Sequence, residues 1–258
     1  RPDSLRVGLF RFHAQSCPLF IMSASTFSTA GFVLPSVAFF GRRFAEYLGF
    51  FSLAPAQLRD GAVLDVAAGP SSFAAEANAA GLDVTACDPL YGCRPEALAT
   101  HVQLDYRRME TKMREKVDLM PGGARFTTID EAVGDRRAAA DLFLADYAAH
   151  VAHGRYVGGA LPALPFADGS FDIVLCAHLL FIYEAQLDYA FHLAACRELM
   201  RVARREVRIH PLCGNGGAPY AQLARLRAEL AQARIGSELV PVPPQFFRGT
   251  DATLVLRR

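Results

Sequence analysis

Apolar positions recur along this chain with two periods. Residues 62–66, Ala-Val-Leu-Asp-Val, form a short β-branched run suited to a strand covered on both faces. Residues 82–88 and 171–176 repeat that character. Between the first two runs, residues 73–80 carry a helical pattern, giving strand, turn, helix and strand in succession. Residues 96–116 and 129–151 predict two longer helices. The second has Ala132, Leu142, Leu144, Tyr147 and Val151 near helical spacing and Gly154 as its stop, and Met120-Pro-Gly-Gly123 is the loop between the two. Residues 220–230 place Leu223, Leu226 and Leu230 on one helix face, while residues 237–242 and 251–257 predict two closing strands.

Composition narrows the class. A chain of 258 residues with 52% hydrophobic content has enough material for one large α/β domain with a full core. The net charge of +1 favours neither a nucleic-acid nor a membrane partner. The basic clusters at 107–116 and 197–208 read as solvated helix faces. Six cysteines show no Cys-x-x-Cys pair and are expected to be reduced thiols in a cytoplasmic protein.

Residues 1–21 precede the first methionine, Met22, so either translation begins there or the chain is a processed or partial product. The apolar stretch 16–40 is broken by Pro18, Pro35 and a Ser/Thr run, which disfavours a spanning helix. Residues 31–51 are expected to form a lid over a ligand site or an ordinary packing extension. The expected division is an N-terminal extension over 1–60 and a main domain over 61–258, with a helical insertion at about 93–153.

The candidate chemistry sits where the first strand ends. Gly69 follows that strand where the backbone must approach a ligand closely, and Asp88 stands at the end of the next strand. This is the arrangement in which a carboxylate accepts both hydroxyls of a ribose.

The frame Asp65-Val-Ala67-Ala-Gly69-Pro-Ser71 resembles the first motif of the class I S-adenosylmethionine-dependent methyltransferases, with Ala67 and Ser71 replacing two glycines. Their Cβ atoms imply a turn that avoids positive φ at both positions. The block Leu164-Pro-Phe-Ala-Asp-Gly-Ser-Phe-Asp-Ile-Val-Leu-Cys176 is similar to the family's approach to its fourth strand. Residues 196–210 resemble its next helix and fifth strand, with Arg204-Arg205 in place of the usual Pro-Gly-Gly link.

The resemblance implies a doubly wound, seven-stranded, mostly parallel sheet with a helical insertion between the second and third strands. It also implies S-adenosylmethionine as cofactor. Asp65 would orient the turn or meet the cofactor's amino group, and Ala67, Ala68, Gly69, Pro70 and Ser71 would hold the methionine moiety. Asp88 would hold the ribose, and Pro89 and Leu90 would border the adenine. Ala160, beside Leu161, falls where the family usually places an acidic contact to the adenine. Cys176 and Ala177 would line the crevice, and His178 is the candidate general base.

Other histidines have plainer readings. His150 and His153 could clasp a metal with Asp146, but no further ligand has suitable spacing, so no metal is expected. His192 and Cys196 read as core, and His210 could face a substrate. The leading function is methyl transfer to a small-molecule acceptor, with no nucleic acid or membrane involved. One alternative is a catalytically silent protein that binds S-adenosylmethionine or S-adenosylhomocysteine. A dinucleotide oxidoreductase would need Gly-x-Gly-x-x-Gly, which Ala67-Ala-Gly69-Pro-Ser-Ser72 does not supply.

Overall fold

The computed structural model describes residues 39–115, 126–243 and 249–258. The readings made on residues 1–38, on the 120–123 loop and on the centre of the turn after Pro243 lie outside the described residues. In chain order the elements are α1 (Phe44–Phe51), β1 (Val63–Val66), α2 (Phe73–Ala79), β2 (Val84–Asp88), α3 (Pro95–Glu115), α4 (Ile129–His150) and β3 (Tyr156–Gly158). They continue as β4 (Phe171–Ala177), α5 (Tyr189–Val202), β5 (Ala203–His210), α6 (Leu223–Gln232), β6 (Gly236–Pro241) and β7 (Ala252–Arg257).

The strands form one seven-stranded sheet in the order β3-β2-β1-β4-β5-β7-β6. β7 runs antiparallel to both β5 and β6, and the other neighbours pair in parallel. Strand alternation sorts the core into two layers. Val63, Val84, Ala86, Ile173, Leu175 and Ala177 pack with α1, α2, α3 and α4 on one face. Leu64, Val66, Val174, Cys176, Val207, Ile209, Leu254 and Leu256 pack with α5 and α6 on the other.

Local chemistry fixes the helix ends. Thr128 Oγ1 accepts the Glu131 amide at 3.1 Å while Glu131 Oε2 accepts the Thr128 amide at 3.3 Å, a reciprocal cap that starts α4. Asp188 caps α5 by accepting the Phe191 amide at 2.8 Å. α5 runs directly into β5 at Val202 and Ala203 with no linking residue. The Asp168-Gly169 turn is held against that junction: Arg201 donates to Asp168 at 2.7 Å and to the Phe166 carbonyl at 2.8 Å, and its own carbonyl accepts the Gly169 amide at 2.8 Å.

Two sequence expectations are corrected. Arg208 does not belong to a solvated face: it is 5% exposed, paired with Glu206 at 2.7 Å, and donates to the Phe51 and Ser52 carbonyls. It alternates with Val207 and Ile209 and so points under α1, where backbone carbonyls at the helix C-terminus accept its protons. The cysteines are not uniformly reduced either. Cys87, Cys176, Cys196 and Cys213 are free and buried, whereas Cys93 is disulfide-bonded. Burial pushes the Cys87, Cys196 and Cys213 thiols up to about 12, which disfavours the nucleophilic thiolate. Among the described residues no helix is long and apolar enough to cross a membrane.

Candidate active site

Parallel pairing aligns Val66 with Cys87 and with Cys176, so β1, β2 and β4 end together and their following loops converge. Asp65, Asp88 and Ala177 point to the α1 face of the sheet by alternation. The turn after β1 is tight: Ala68 donates to the Cys87 carbonyl at 3.2 Å and Ser71 to the Ala68 carbonyl at 3.3 Å. Gly69 has φ +55°, and Ala67 has φ +56°.

The expectation that Ala67 avoids positive φ is therefore overturned. The bond from Ala68 to β2 and the short path to α2 impose the left-handed conformation, which costs a non-glycine residue about 1–2 kcal/mol. Ser71 shows no such strain among the described residues. Replacing Ala67 with Gly removes the Cβ clash but adds unfolded-state freedom. The expected net effect is a gain of about 0.5–1 kcal/mol in urea unfolding, and a lowered midpoint would contradict the strain argument.

The two carboxylates differ. Asp65 is 1% exposed, and neither carboxylate oxygen has a hydrogen-bond partner. Burial pushes its acid well above the usual range, the Tyr47 hydroxyl offsets part of that rise, and the charge of Asp88 adds to it. Asp88 accepts the Gly69 amide at 3.1 Å and the Leu90 amide at 3.0 Å. Burial still raises its acid to about 6, with these two bonds acting in opposition.

Aromatic side chains cover the strand ends. Tyr91 donates from its hydroxyl to the Gly69 carbonyl and packs in a cluster with Phe143, Tyr147 and Tyr156. From the N-terminal side, a Cβ on Gly41 would lie 2.0 Å from the Pro70 oxygen, so only glycine permits this backbone contact. The Arg42 amide donates to Ser71 Oγ at 3.0 Å, and Tyr47 stacks on Phe73 with ring centres 4.3 Å apart.

α1 is latched to α4 by a buried ion pair. Arg136, 1% exposed, reaches both oxygens of Glu46, 2% exposed, and its Nη2 lies 2.6 Å from Oε1. Arg42 lies beside this pair. Burial, reinforced by the charge of Arg136, lowers its guanidinium to about 10, and its Nε is buried without a partner.

Comparison with known proteins places this architecture. Residues 117–209 match the family described as "Methyltransferase domain". Over 225 residues the chain is 32% identical to the uncharacterized protein MJ0045 of Methanocaldococcus jannaschii, covering 87% of this chain and 98% of that one. The chain belongs to the class I S-adenosylmethionine-dependent methyltransferase family.

Two solved methyltransferases are similar in chain path. Magnesium protoporphyrin IX methyltransferase from Synechocystis has a TM-score of 0.45 at 16% identity, with 83% of this chain and 76% of that chain covered. The 1,6-didemethyltoxoflavin-N1-methyltransferase of Burkholderia thailandensis has a TM-score of 0.42 at 17% identity, with 83% and 77% covered.

Within this methyltransferase the residues singled out in the sequence occupy different settings. Asp65, Ala67, Ala68, Gly69, Pro70, Ser71 and Asp88 lie together at the ends of β1 and β2. Pro89 is exposed and Leu90 half-buried at the rim. Ala160 is exposed and Leu161 half-buried just beyond β3, where Gly159 donates to the Asp88 carbonyl at 3.2 Å. Cys176 faces the opposite core layer, beneath α5, and burial raises its thiol pKa.

Ala177 and His178 lie on the α1 side. His178 has φ +54°, and its ring meets Phe50 edge-on at 4.8 Å and His210 at 5.6 Å. Burial, with the charges of Arg42, His210 and Arg136, holds its imidazole well below the ordinary value. Asp146 accepts from Arg155 at 2.6 Å and from Tyr156 at 2.7 Å, while His192 bonds the Asp188 and Leu180 carbonyls. Neither Tyr91 nor the Glu46–Arg136 latch carries a motif or spacing that marks it in the sequence.

Proposed function

We propose that this methyltransferase moves a methyl group from S-adenosylmethionine to a small-molecule acceptor. The observation that carries the reading is the Asp65 carboxyl group, buried at the end of β1 with the Tyr47 hydroxyl near it and, among the described residues, no cationic side chain paired to it. Burial disfavours the ionised form of this group, and a cation brought beside it favours that form again; the amino group of a methionine moiety is such a cation. The turn, left-handed at Ala67 and Gly69, brings backbone beside it, and Asp88 supplies a second carboxylate suited to ribose hydroxyls.

When bound, the cofactor supplies a methyl group on a sulfonium that leaves readily. The chain then has to align the acceptor and exclude water. Asp65 and the 67–71 turn would hold the methionine end, Asp88 the ribose, and Leu90 and Leu161 the borders of the base. Ala160 offers no carboxylate to the adenine amine, so adenine selection would rest on shape and backbone. The closed aromatic cover would keep water from the transferring group. The balanced net charge favours a small acceptor over nucleic acid.

Calorimetric titration tests this reading. S-adenosylmethionine and S-adenosylhomocysteine should each bind one per chain, and NADH should give no heat. Absence of binding by the first two would overturn the proposal. Ala67 and Ser71 in the turn, with Ala160 where an acidic contact to the adenine is expected, favour a second reading, a binding protein without turnover. That protein would bind both ligands yet form no S-adenosylhomocysteine with any acceptor offered.

A further inference from the structure

His210 ends β5 on the α1 side of the sheet, is 1% exposed, and stacks on Phe50 with ring centres 4.9 Å apart. Its Nδ1 lies 3.0 Å from Thr253 Oγ1 and 3.2 Å from the Ala252 carbonyl. The Thr253 hydroxyl donates its own hydrogen to the Phe50 carbonyl at 2.5 Å, so towards His210 it can only accept. A carbonyl can only accept. Nδ1 therefore carries the ring hydrogen, and Nε2 keeps its lone pair. That Nε2 is buried and has no hydrogen-bond partner. A buried acceptor left open on a ring held from behind marks a place where a ligand's hydrogen goes.

We infer that His210 Nε2 receives the proton of the methyl acceptor, and that the acceptor is a hydroxyl compound. The inference rests on the methyl-transfer reading above and names the substrate class at that site. In the step, a lone pair of the acceptor oxygen forms the new O–C bond, and the pair of the breaking S–C bond stays with sulfur. The O–H proton passes to Nε2, leaving an imidazolium whose Nδ1–H remains bonded to Thr253 and Ala252.

The basicity of the ring agrees with an oxygen acceptor. Burial lowers His210 to about 3, the Ala252 carbonyl opposes that fall, and the charge of Arg42 adds to it. So weak a base takes a proton from a methylated hydroxyl, which is a strong acid, but not from a methylated amine, which is a weak one. Thr253 acts as a positioning residue, fixing the tautomer from behind the ring.

The test is nitrogen NMR on the full chain labelled with 15N-histidine, first alone and then saturated with S-adenosylhomocysteine, with phenol and its methyl ether anisole as probes. His210 should show the Nδ1–H tautomer in the free protein. In the loaded protein, phenol should move the Nε2 resonance several times further than anisole does. An Nε2–H tautomer, equal shifts from the two probes, or no shift with phenol would each overturn the assignment. Failure of S-adenosylhomocysteine to bind is read separately by calorimetric titration of the same protein. That outcome would strike the methyl-transfer reading, and the tautomer measurement on the free protein would still decide whether Nε2 is open.

Discussion

Arg136→Met should lower the unfolding free energy by about 3–5 kcal/mol, the usual cost of removing one partner from a buried ion pair. Glu46 would then be a buried carboxylate left with the Arg43 amide and the nearby charge of Arg42. The double replacement Glu46→Leu with Arg136→Met should recover most of the loss, because no charge is then stranded. Urea unfolding of the two single variants and the double variant gives the coupling directly; additive losses would deny that the pair acts as a unit.

The same pair carries a pH signature. Burial pushes the Glu46 acid up, but the charge and hydrogen bonds of Arg136 outweigh it, and the net result is a lowered value. A lowered acid contributes stability that is present above its unfolded value and is lost as pH falls through its folded value. Wild type should lose that increment in acid, whereas the double variant has none to lose.

Asp88→Ala should weaken S-adenosylhomocysteine binding by about tenfold or more, since hydrogen bonds to a charged group contribute roughly 1.5–3 kcal/mol. The Gly69 and Leu90 amides also lose their acceptor, so circular dichroism must confirm that the fold persists. In the wild type, the raised acid at about 6 predicts pH-dependent affinity. Ribose hydroxyls donate to the ionised form, so binding should be level above pH 7 and fall by about tenfold per pH unit well below 6. Asp88→Asn should flatten that profile. A wild-type affinity unchanged down to pH 5 would remove Asp88 from the ligand site.

Much of this architecture was legible because fully covered parallel strands read as short continuous apolar runs. β1 and β4 stand out for that reason, and the Gly69 turn with Asp88 falls in place once the strands are recognised. What stayed hidden depends on contacts between distant segments. Glu46 and Arg136 are 90 residues apart, and each alone looks like an ordinary charge on a helix. Arg208 sits in a strand whose polar and apolar residues alternate, which reads as one solvated face. Only the docking of α1 turns that face into an interior. The left-handed Ala67 was hidden for another reason: sequence preference reports the average cost of a conformation, and here neighbouring strands impose the rare one.

The direct junction of α5 and β5 bears on how this chain can change length. Side-chain direction in a strand has a period of two, so one residue added between Val202 and Ala203, with the strand start held, would turn Val207 and Ile209 out of their layer. Arg208 would enter the apolar side and His210 would leave the α1 side. Natural variants of this fold should therefore hold the residue count fixed at that junction and vary it at exposed turns such as the one around Gly216, where the chain folds back on itself.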